Sequence, residues 1–193
     1  FKLPDFISKM MENKWLGSKT GQGFYKKEGK TISVLDLNTL EYREKKRTKF
    51  ATLELTKTID NVIDRFKVLV GGKDKAADFY RKNFAAMFAY VSHRILEISD
   101  ELYKIDDAMK AGFGWEHGPF QIWDAIGVQR GIEIMKSEGH SPSQWVLDML
   151  ESGNSSFYTI ENGATLAYSI SNKTQEKIPG QDAFIILDNI RKS

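Results

Sequence analysis

The sequence predicts an all-α fold, with a compact helical domain between irregular N- and C-terminal extensions. From about residue 52 to residue 150, apolar residues recur at steps of three and four, which is the period of an amphipathic helix. Glycine, proline and serine interrupt this pattern at short intervals, so we expect a series of helices joined by short connections. Before residue 50 and after residue 153 the helical period is weaker, which predicts an extension at each end.

The first fifty residues predict one short helix and then extended chain. Apolar residues at helical spacing indicate a helix over residues 3–16, which the following glycines end. The run Glu28-Gly29-Lys30 is typical of a turn, and weak alternation over Thr31–Leu37 favours a strand or the edge of a hairpin. Residues 38–50 are predicted to be a polar connector. This part of the chain has too few apolar residues to close a core alone.

Two long helices are predicted to begin the helical domain. The first runs from about residue 52 to Val70 and ends at Gly71-Gly72. The second spans roughly residues 75–102 and places His93 on its solvent face. Its apolar stripe contains Phe84, Met87, Phe88, Val91, Ile95, Ile98 and Leu102.

Shorter helices are predicted to complete the domain. They span Asp106–Lys110 with Asp106 as the cap, Pro119–Ile126, Val128–Glu138, and Gln144–Glu151 with Ser141-Pro142 at its start. Gly153 is expected to stop the last of them. The chain after residue 153 is predicted to be irregular with one β-hairpin, and residues 183–191 fit a helix or a strand equally well.

The composition excludes several classes of protein. Of the 193 residues, 41% are apolar and 28% are charged, which is typical of a globular protein and excludes a disordered one. The absence of cysteine excludes disulfides, thiolate metal sites and thiol nucleophiles, and fits a cytoplasmic location. No apolar run is long enough for a membrane helix, and no signal peptide is recognisable. Because the chain starts with Phe1, we expect it to be a fragment.

The charges are uneven, although the net charge is only +2. Residues 1–50 hold 12 basic and 6 acidic side chains, and the densest basic run is residues 43–49. This run has no aromatic interleaving and no nucleic-acid-binding motif beside it, so a solvated linker is favoured over a phosphate-binding patch.

The common signatures of catalysis are absent from the sequence. His93, His117 and His140 do not have metal-ligand spacing, and we expect no metal site. The pairs Asp100-Glu101 and Asp106-Asp107 are interpreted as caps or solvated faces rather than as acid–base pairs. No nucleophile-elbow or P-loop pattern is present, so we predict no catalytic residue in this chain.

A glycine-rich stretch from Gly112 to Gly118 has some likeness to a dinucleotide-binding loop. Its last gap is one residue too long, and the residues before it are helical and polar. A pyrophosphate loop has to leave a buried strand and open a helix. We therefore predict no cofactor-binding residue here.

Two motifs are similar to those of one enzyme family. The stretch from Asp106 to Gly114 reads D-x-A-M-x-x-G-x-G, and Gly118 to Gly127 reads G-P-F-x-x-x-D-x-x-G. Leu16 to Tyr25 reads L-G-x-K-T-G-x-G-F-Y. The first two patterns together resemble a helix–turn–helix segment of the C-terminal domain of 3-hydroxyacyl-CoA dehydrogenases, and the Leu16–Tyr25 motif resembles the end of that domain. The resemblance covers about residues 5–27 and 55–158.

This resemblance implies a helical domain of the 6-phosphogluconate-dehydrogenase C-terminal-like type and a tandem organisation. Residues 1–30 would be the tail of a first C-terminal domain copy, 31–51 a basic linker, and 52–158 a second copy. Residues 159–193, with the run Pro179-Gly180-Gln181-Asp182-Ala183-Phe184, would be a connector toward an enoyl-CoA hydratase domain.

In such a multifunctional β-oxidation enzyme, a Rossmann domain upstream would bind NAD and carry the catalytic His–Glu pair. The whole enzyme would oxidise (S)-3-hydroxyacyl-CoA, while this chain alone would be inactive and bind no cofactor. Its role would be to shape the acyl-CoA cleft and to supply an interdomain or homodimer interface, without nucleic acid or membrane as a partner.

The resemblance gives structural roles to most of the motif residues. They are Gly21, Gly23, Phe24, Asp106, Gly112, Gly114, Gly118, Pro119, Phe120, Trp123, Asp124 and Gly127. Phe24, Phe120 and Trp123 are expected to pack in the core. Lys19 is the candidate substrate-binding residue, since its charge could meet an anionic ligand. The alternative hypothesis is a free-standing helical interaction module whose basic segment binds an acidic partner.

Overall fold

The computed structural model describes residues 2–181 and 187–192, and these residues form two compact units. The first unit comprises residues 1–48 and the second comprises residues 49–193. No helix in the described part of the chain combines the length and apolar character needed to cross a bilayer.

The first unit contains one helix and a three-stranded antiparallel sheet. Helix α1 spans Asp5–Glu12, a single 3₁₀ turn spans Ser18–Thr20, and the strands are β1 (Tyr25–Glu28), β2 (Thr31–Leu35) and β3 (Tyr42–Glu44). The predicted first helix, the turn at Gly29 and the strand from Thr31 are confirmed, although the helix ends four residues early. The predicted connector from residue 38 onward is wrong in part, because β3 lies within it.

The second unit is mostly helical, which confirms the predicted fold class. Its helices are α2 (Ala51–Thr56), α3 (Val62–Gly71), α4 (Lys75–Ile98), α5 (Leu102–Phe113), α6 (Pro119–Ile126), α7 (Val128–Ser137), α8 (Gln144–Glu151) and α9 (Leu187–Lys192). The predicted bounds of α6 and α8 are confirmed, but α8 takes Ser143 as its N-cap rather than Ser141.

A single aromatic core joins the helices of the second unit. Trp123 of α6 is fully buried and stacks on Phe88 of α4, with ring centroids 4.8 Å apart. Phe120 lies on the same face of α6 and packs against Phe157 at 5.1 Å. Because α6 buries six of its eight residues, it forms the centre around which the other helices pack.

A second three-stranded antiparallel sheet follows the helices. It consists of β4 (Tyr158–Glu161), β5 (Ala164–Ser169) and β6 (Thr174–Lys177) in sequential order. Ala167 and Tyr168 of β5 are buried in the helical core, and the Tyr168 ring stacks on Trp145 with centroids 6.4 Å apart. The prediction that the extensions are irregular is wrong in part. The strand expected from Thr31 and the hairpin expected after residue 153 are present, and each belongs to a complete three-stranded sheet.

Two further expectations about the helices are corrected. The single helix predicted from residue 52 to Val70 is two helices, because Asn61 caps α3 by accepting a hydrogen bond from the amide of Ile63. Helix α4 ends at Ile98, whose side chain is 67% exposed instead of buried in the stripe. The exposure of His93 is confirmed. Residues 182–186, the start of the segment that fitted a helix or a strand, lie outside the described residues, and Leu187–Lys192 is helical.

Candidate functional site

The two family-like patterns of the second unit, Asp106–Gly114 and Gly118–Gly127, meet at the start of α6. Gly118 is the N-cap of this helix and Pro119 is its first residue, a position where proline's fixed backbone angle is already helical. The predicted burial of Phe120 and Trp123 is confirmed, since neither side chain is exposed. The indole N–H of Trp123 donates to the carbonyl of Val128 at 3.0 Å, which fixes the following turn.

Asp106 caps α6 although it belongs to another helix. The prediction that it caps its own short helix is wrong, because Asp106 lies inside α5. Its carboxylate accepts hydrogen bonds from the amides of Phe120 at 2.9 Å and Gln121 at 3.0 Å. These amides are among the N–H groups that a helix leaves without an internal partner. The fully buried Asp106 therefore joins α5 to α6.

Gly118 has no room for a side chain. A Cβ placed on it would lie 2.3 Å from the Cα of Asp106, well inside contact distance. Glycine at this position therefore permits the close approach of α5 that brings the Asp106 carboxylate to the start of α6.

Asp124 makes the second carboxylate connection, from α6 to the start of β4. Its two oxygens accept from the amides of Phe157 and Tyr158, each at 2.8 Å. The hydroxyl of Tyr158 donates to Oδ2 of Asp106, also at 2.8 Å. Asp106 and Asp124, which we call the carboxylate pair, thus hold the Phe157-Tyr158 dipeptide against the helical core.

Burial dominates the electrostatics of the carboxylate pair. Desolvation raises the pKa of Asp106 to about 6 and that of Asp124 to about 7, although the hydrogen bonds from the amides act in the opposite direction. The pKa of the Tyr158 hydroxyl is also raised, first by its burial and then by the neighbouring Asp106. Because each oxygen of the pair accepts at least one hydrogen bond from the protein, this arrangement is structural in character.

The glycine-rich stretch from Gly112 to Gly118 does not fit a dinucleotide. It follows helix α5 rather than a strand, and the amides at the start of α6 are already bound by Asp106. A pyrophosphate would need those amides and a strand leading into the loop. This stretch therefore does not form a site for a dinucleotide.

The structure requires glycine at some, but not all, of the remaining motif glycines of the second unit. Gly114 ends α5 with a φ of 65° and Gly127 ends α6 with a φ of 101°, backbone angles that side chains disfavour. A Cβ at Gly112 would meet nothing within 4 Å, and the structure does not explain why glycine stands there.

In the first unit, Lys19 lies in an exposed turn held by Thr20. The Thr20 hydroxyl donates to the carbonyl of Gly17 at 3.0 Å and accepts from the amide of Leu16 at 3.0 Å. Lys19 is exposed and has no hydrogen-bond or ion-pair partner among the residues described. The structure leaves its substrate-binding role a prediction.

The other motif residues of the first unit surround this turn. Gly21 ends the 3₁₀ turn with a φ of 84°, and Gly23 is buried so closely that a Cβ would lie 2.8 Å from the Cα of Gly17. Phe24 is 46% exposed, so its predicted burial in a core is wrong within this unit.

An apolar groove with a volume of about 320 Å³ runs between α4 and α5. Tyr90 and Ile98 lie along it and are 64% and 67% exposed. Its one charged lining residue, Arg94, is paired with Glu97 at 2.8 Å. The groove can accommodate an apolar surface, and sequence periodicity missed it because that periodicity placed Ile98 in the core.

The other candidate functional residues do not form a recognisable site in the described part of the chain. No three histidine or acidic side chains there come together as ligands for a metal ion. In the basic run, Arg43 belongs to β3 and its Nε donates to Asp36 at 3.1 Å.

Known proteins are similar to the part of the chain that contains the carboxylate pair. Residues 79–156 match the family described as 3-hydroxyacyl-CoA dehydrogenase, C-terminal domain. A Bacillus subtilis protein named "Probable 3-hydroxyacyl-CoA dehydrogenase" is 42% identical over 168 residues, which is 87% of this chain and 21% of the relative.

More distant relatives have names that describe a fatty acid oxidation complex trifunctional enzyme. The protein from Rickettsia felis is 28% identical over 60% of this chain and 15% of its own length. The protein from Rickettsia prowazekii is 24% identical over 67% of this chain and 17% of its own length. The chain thus spans about a fifth or less of the curated relatives it matches. Residues 79–156, which include the carboxylate pair and most of the helical core, are thus similar to the C-terminal domain of 3-hydroxyacyl-CoA dehydrogenases.

Proposed function

We propose that this chain is the central helical segment of an NAD-dependent (S)-3-hydroxyacyl-CoA dehydrogenase of the fatty-acid β-oxidation type. The observation that carries the proposal is the 42% identity to the Bacillus subtilis relative, which extends over 87% of the chain. The whole enzyme would convert a 3-hydroxyacyl-CoA into a 3-oxoacyl-CoA, with NAD as the hydride acceptor, in the cytoplasm.

The role of this segment is structural. The carboxylate pair is engaged by backbone amides and by Tyr158, and the glycine-rich stretch does not fit a dinucleotide. The NAD site and the catalytic His–Glu pair would therefore belong to a Rossmann domain upstream of this chain. The boundaries expected at residues 30 and 158 each divide a sheet, so they are moved to its end. The first domain copy would end at residue 44, residues 45–51 would link, residues 52–177 would form the second copy, and the chain after Lys177 would lead to a hydratase domain.

The apolar groove between α4 and α5 supports the packing part of this role. An exposed surface of this kind is typical of a place where another protein surface packs. In the whole enzyme this face would pack against a neighbouring domain or a second subunit, and so help to form the acyl-CoA cleft.

The test compares a longer polypeptide, which includes the proposed Rossmann domain, with the 193-residue chain alone. Each is incubated with NAD and (S)-3-hydroxybutyryl-CoA, and NADH formation is followed by absorbance. We expect activity from the longer polypeptide, none from the chain alone, and none with the (R)-substrate. A longer polypeptide that folds and binds NAD but does not oxidise the (S)-substrate would contradict the proposal.

A further inference from the structure

The two small sheets of this chain are the same structural unit built twice. Residues 24–44 and 157–177 each begin with Phe-Tyr and continue as a three-stranded antiparallel meander. Tyr25 pairs with Val34 in the first meander, and Tyr158 pairs with Ala167 at the corresponding positions, 133 residues later. The same shift relates every paired position of the first sheet to a pair in the second, which has one further pair, Ser169 with Thr174.

The turns of the two meanders also correspond. The first turn has a positive φ at the equivalent positions Gly29 (63°) and Asn162 (50°), and only the second meander adds another at Gly163 (76°). The second connection has a positive φ at Leu40 (60°) and at Lys173 (55°), again equivalent. Leucine and lysine adopt this conformation rarely, so its recurrence indicates a common backbone design.

Side-chain hydrogen bonds repeat even where the residue types differ. The hydroxyl of Tyr42 donates to the carbonyl of Gly23 at 2.6 Å, and the amide of Gln175 donates to the carbonyl of Ser156 at 3.0 Å. Apart from Phe-Tyr, the two segments share only one identical residue, the glutamate that ends the first strand. The recurrence of Phe-Tyr in otherwise different sequences points to a common function for this dipeptide.

In the second meander that function is visible. Phe157 is fully buried among Phe120 and Trp123, and the amides of Phe157 and Tyr158 donate to Asp124. Together with the bond from the Tyr158 hydroxyl to Asp106, these contacts attach the meander to the helical core.

In the first meander the same dipeptide is only partly covered. Phe24 is 46% exposed and Tyr25 is 61% exposed, and their amides donate to no side chain in the part of the chain that is described. Within the described residues of the first unit, only Met10 and Leu35 are buried apolar side chains. The Phe6 ring of α1 meets the Phe24 ring edge-on with centroids 6.4 Å apart, but Phe24 stays nearly half exposed and Tyr25 more so. A unit with so small a core does not bury this dipeptide by itself.

We propose that the Phe24-Tyr25 face is the binding surface for a second helical domain, which carries its own carboxylate pair and lies elsewhere in the same longer polypeptide. The carboxylate pair of this chain is already occupied by Phe157 and Tyr158, so a further pair is needed. The chain covers only 21% of its Bacillus subtilis relative, which leaves ample sequence for such a domain. This proposal rests on the tandem organisation put forward under the proposed function.

The test exchanges one meander for the other in the full 193-residue chain. Residues 157–177 are replaced by the sequence of residues 24–44, which has the same length. A matched control carries the same graft with Phe157→Ser and Tyr158→Ser. A second pair of grafts keeps Ala167 and Tyr168, because both are buried against the helical core.

Thermal unfolding and tryptophan fluorescence are measured for all four grafts. If Phe-Tyr of the first meander fits a carboxylate pair, we expect the serine versions to unfold roughly 10 °C below their parent grafts. If only the serine versions lose their folding transition completely, that result also supports the proposal. Equal unfolding temperatures with and without Phe-Tyr, or failure of both parent grafts to fold, would overturn the proposal.

Sedimentation separates this partner from a second copy of the chain. We expect the 193-residue chain and its Phe24→Ser variant to sediment identically, because neither offers a free carboxylate pair. A dimer that Phe24→Ser abolishes would overturn the proposal. None of these measurements depends on dehydrogenase activity, so failure here and failure of the proposed reaction are distinguishable.

Discussion

Replacing Trp123 by alanine tests the central packing of the second unit. The Trp123 ring is fully buried, stacks on Phe88 at an interplanar angle of 10°, and meets Phe157 edge-on with centroids 5.0 Å apart. Its indole N–H also satisfies the carbonyl of Val128. The substitution therefore removes a large buried ring and leaves a backbone acceptor without a partner.

The expected loss is the sum of these two effects. Truncating a buried Trp to Ala costs about 3–5 kcal/mol, and an unsatisfied buried carbonyl adds roughly 1 kcal/mol. For a chain of this size, about 4–6 kcal/mol corresponds to a fall in Tm of roughly 10–20 °C. Trp123→Phe keeps an aromatic ring but loses the N–H donor, so we expect a loss of about 1–3 kcal/mol.

Urea and thermal unfolding followed by circular dichroism measure these losses. Trp115→Ala is the matched control, because Trp115 lies at the groove and is 38% exposed. We expect the control to lower the free energy of unfolding by less than about 2 kcal/mol. A Tm for Trp123→Ala within about 3 °C of the parent, or a control that loses as much, would refute this account of the core.

Three further substitutions test the carboxylate pair and the exposed turn. Gly118→Ala forces a Cβ into Asp106, so we expect the free energy of unfolding measured in urea to fall by about 2–4 kcal/mol. The control Gly112→Ala places its Cβ in open space, so we expect the free energy of unfolding to stay equal or rise slightly. The pKa of Asp106 is raised to about 6 and that of Asp124 to about 7, so the folded state holds these protons more tightly than the unfolded state does. The stability that this difference contributes is fully present below about pH 4 and is lost as the pH rises through about 7. Tm measured from pH 4 to pH 8 should show this fall, and Asp124→Asn should reduce it; an unchanged slope would contradict the raised pKa. Lys19→Ala should leave the Tm of the chain unchanged and raise the KM for acyl-CoA in the longer polypeptide, and an unchanged KM would remove Lys19 as a substrate-binding residue.

Local signals were sufficient to predict α6 and α8. Pro119 marks the start of α6, Gly127 its end, and the apolar pattern between them is strictly helical. The break between α2 and α3 was missed because apolar residues continue at helical spacing across it. The capping residue Asn61 is the local signal that could have revealed the break.

The role of Asp106 could not be predicted from local sequence, because its partners are 14, 15 and 52 residues away along the chain. An aspartate near a glycine turn looks like a cap for its own helix, and only the folded structure shows that it caps the next one. Tyr158 was missed as a site residue for a related reason. Its available signal was the Phe-Tyr dipeptide at residues 24–25 and 157–158, although the same dipeptide also occurs at residues 79–80 inside α4.

The carboxylate pair also determines where this domain can be cut. The family match ends at residue 156, one position before Phe157, and starts at residue 79, inside α4. A segment trimmed to those limits would keep both aspartates but lose the two amides and the hydroxyl that hydrogen-bond to them. Asp106 would keep the amides of Phe120 and Gln121, but Asp124 would have no donor, and the core would lose the Phe157 ring. Such a segment would therefore fold poorly. The cooperative unit therefore extends through the meander that follows the matched residues, and a domain boundary for expression or for grafting should be placed after Lys177.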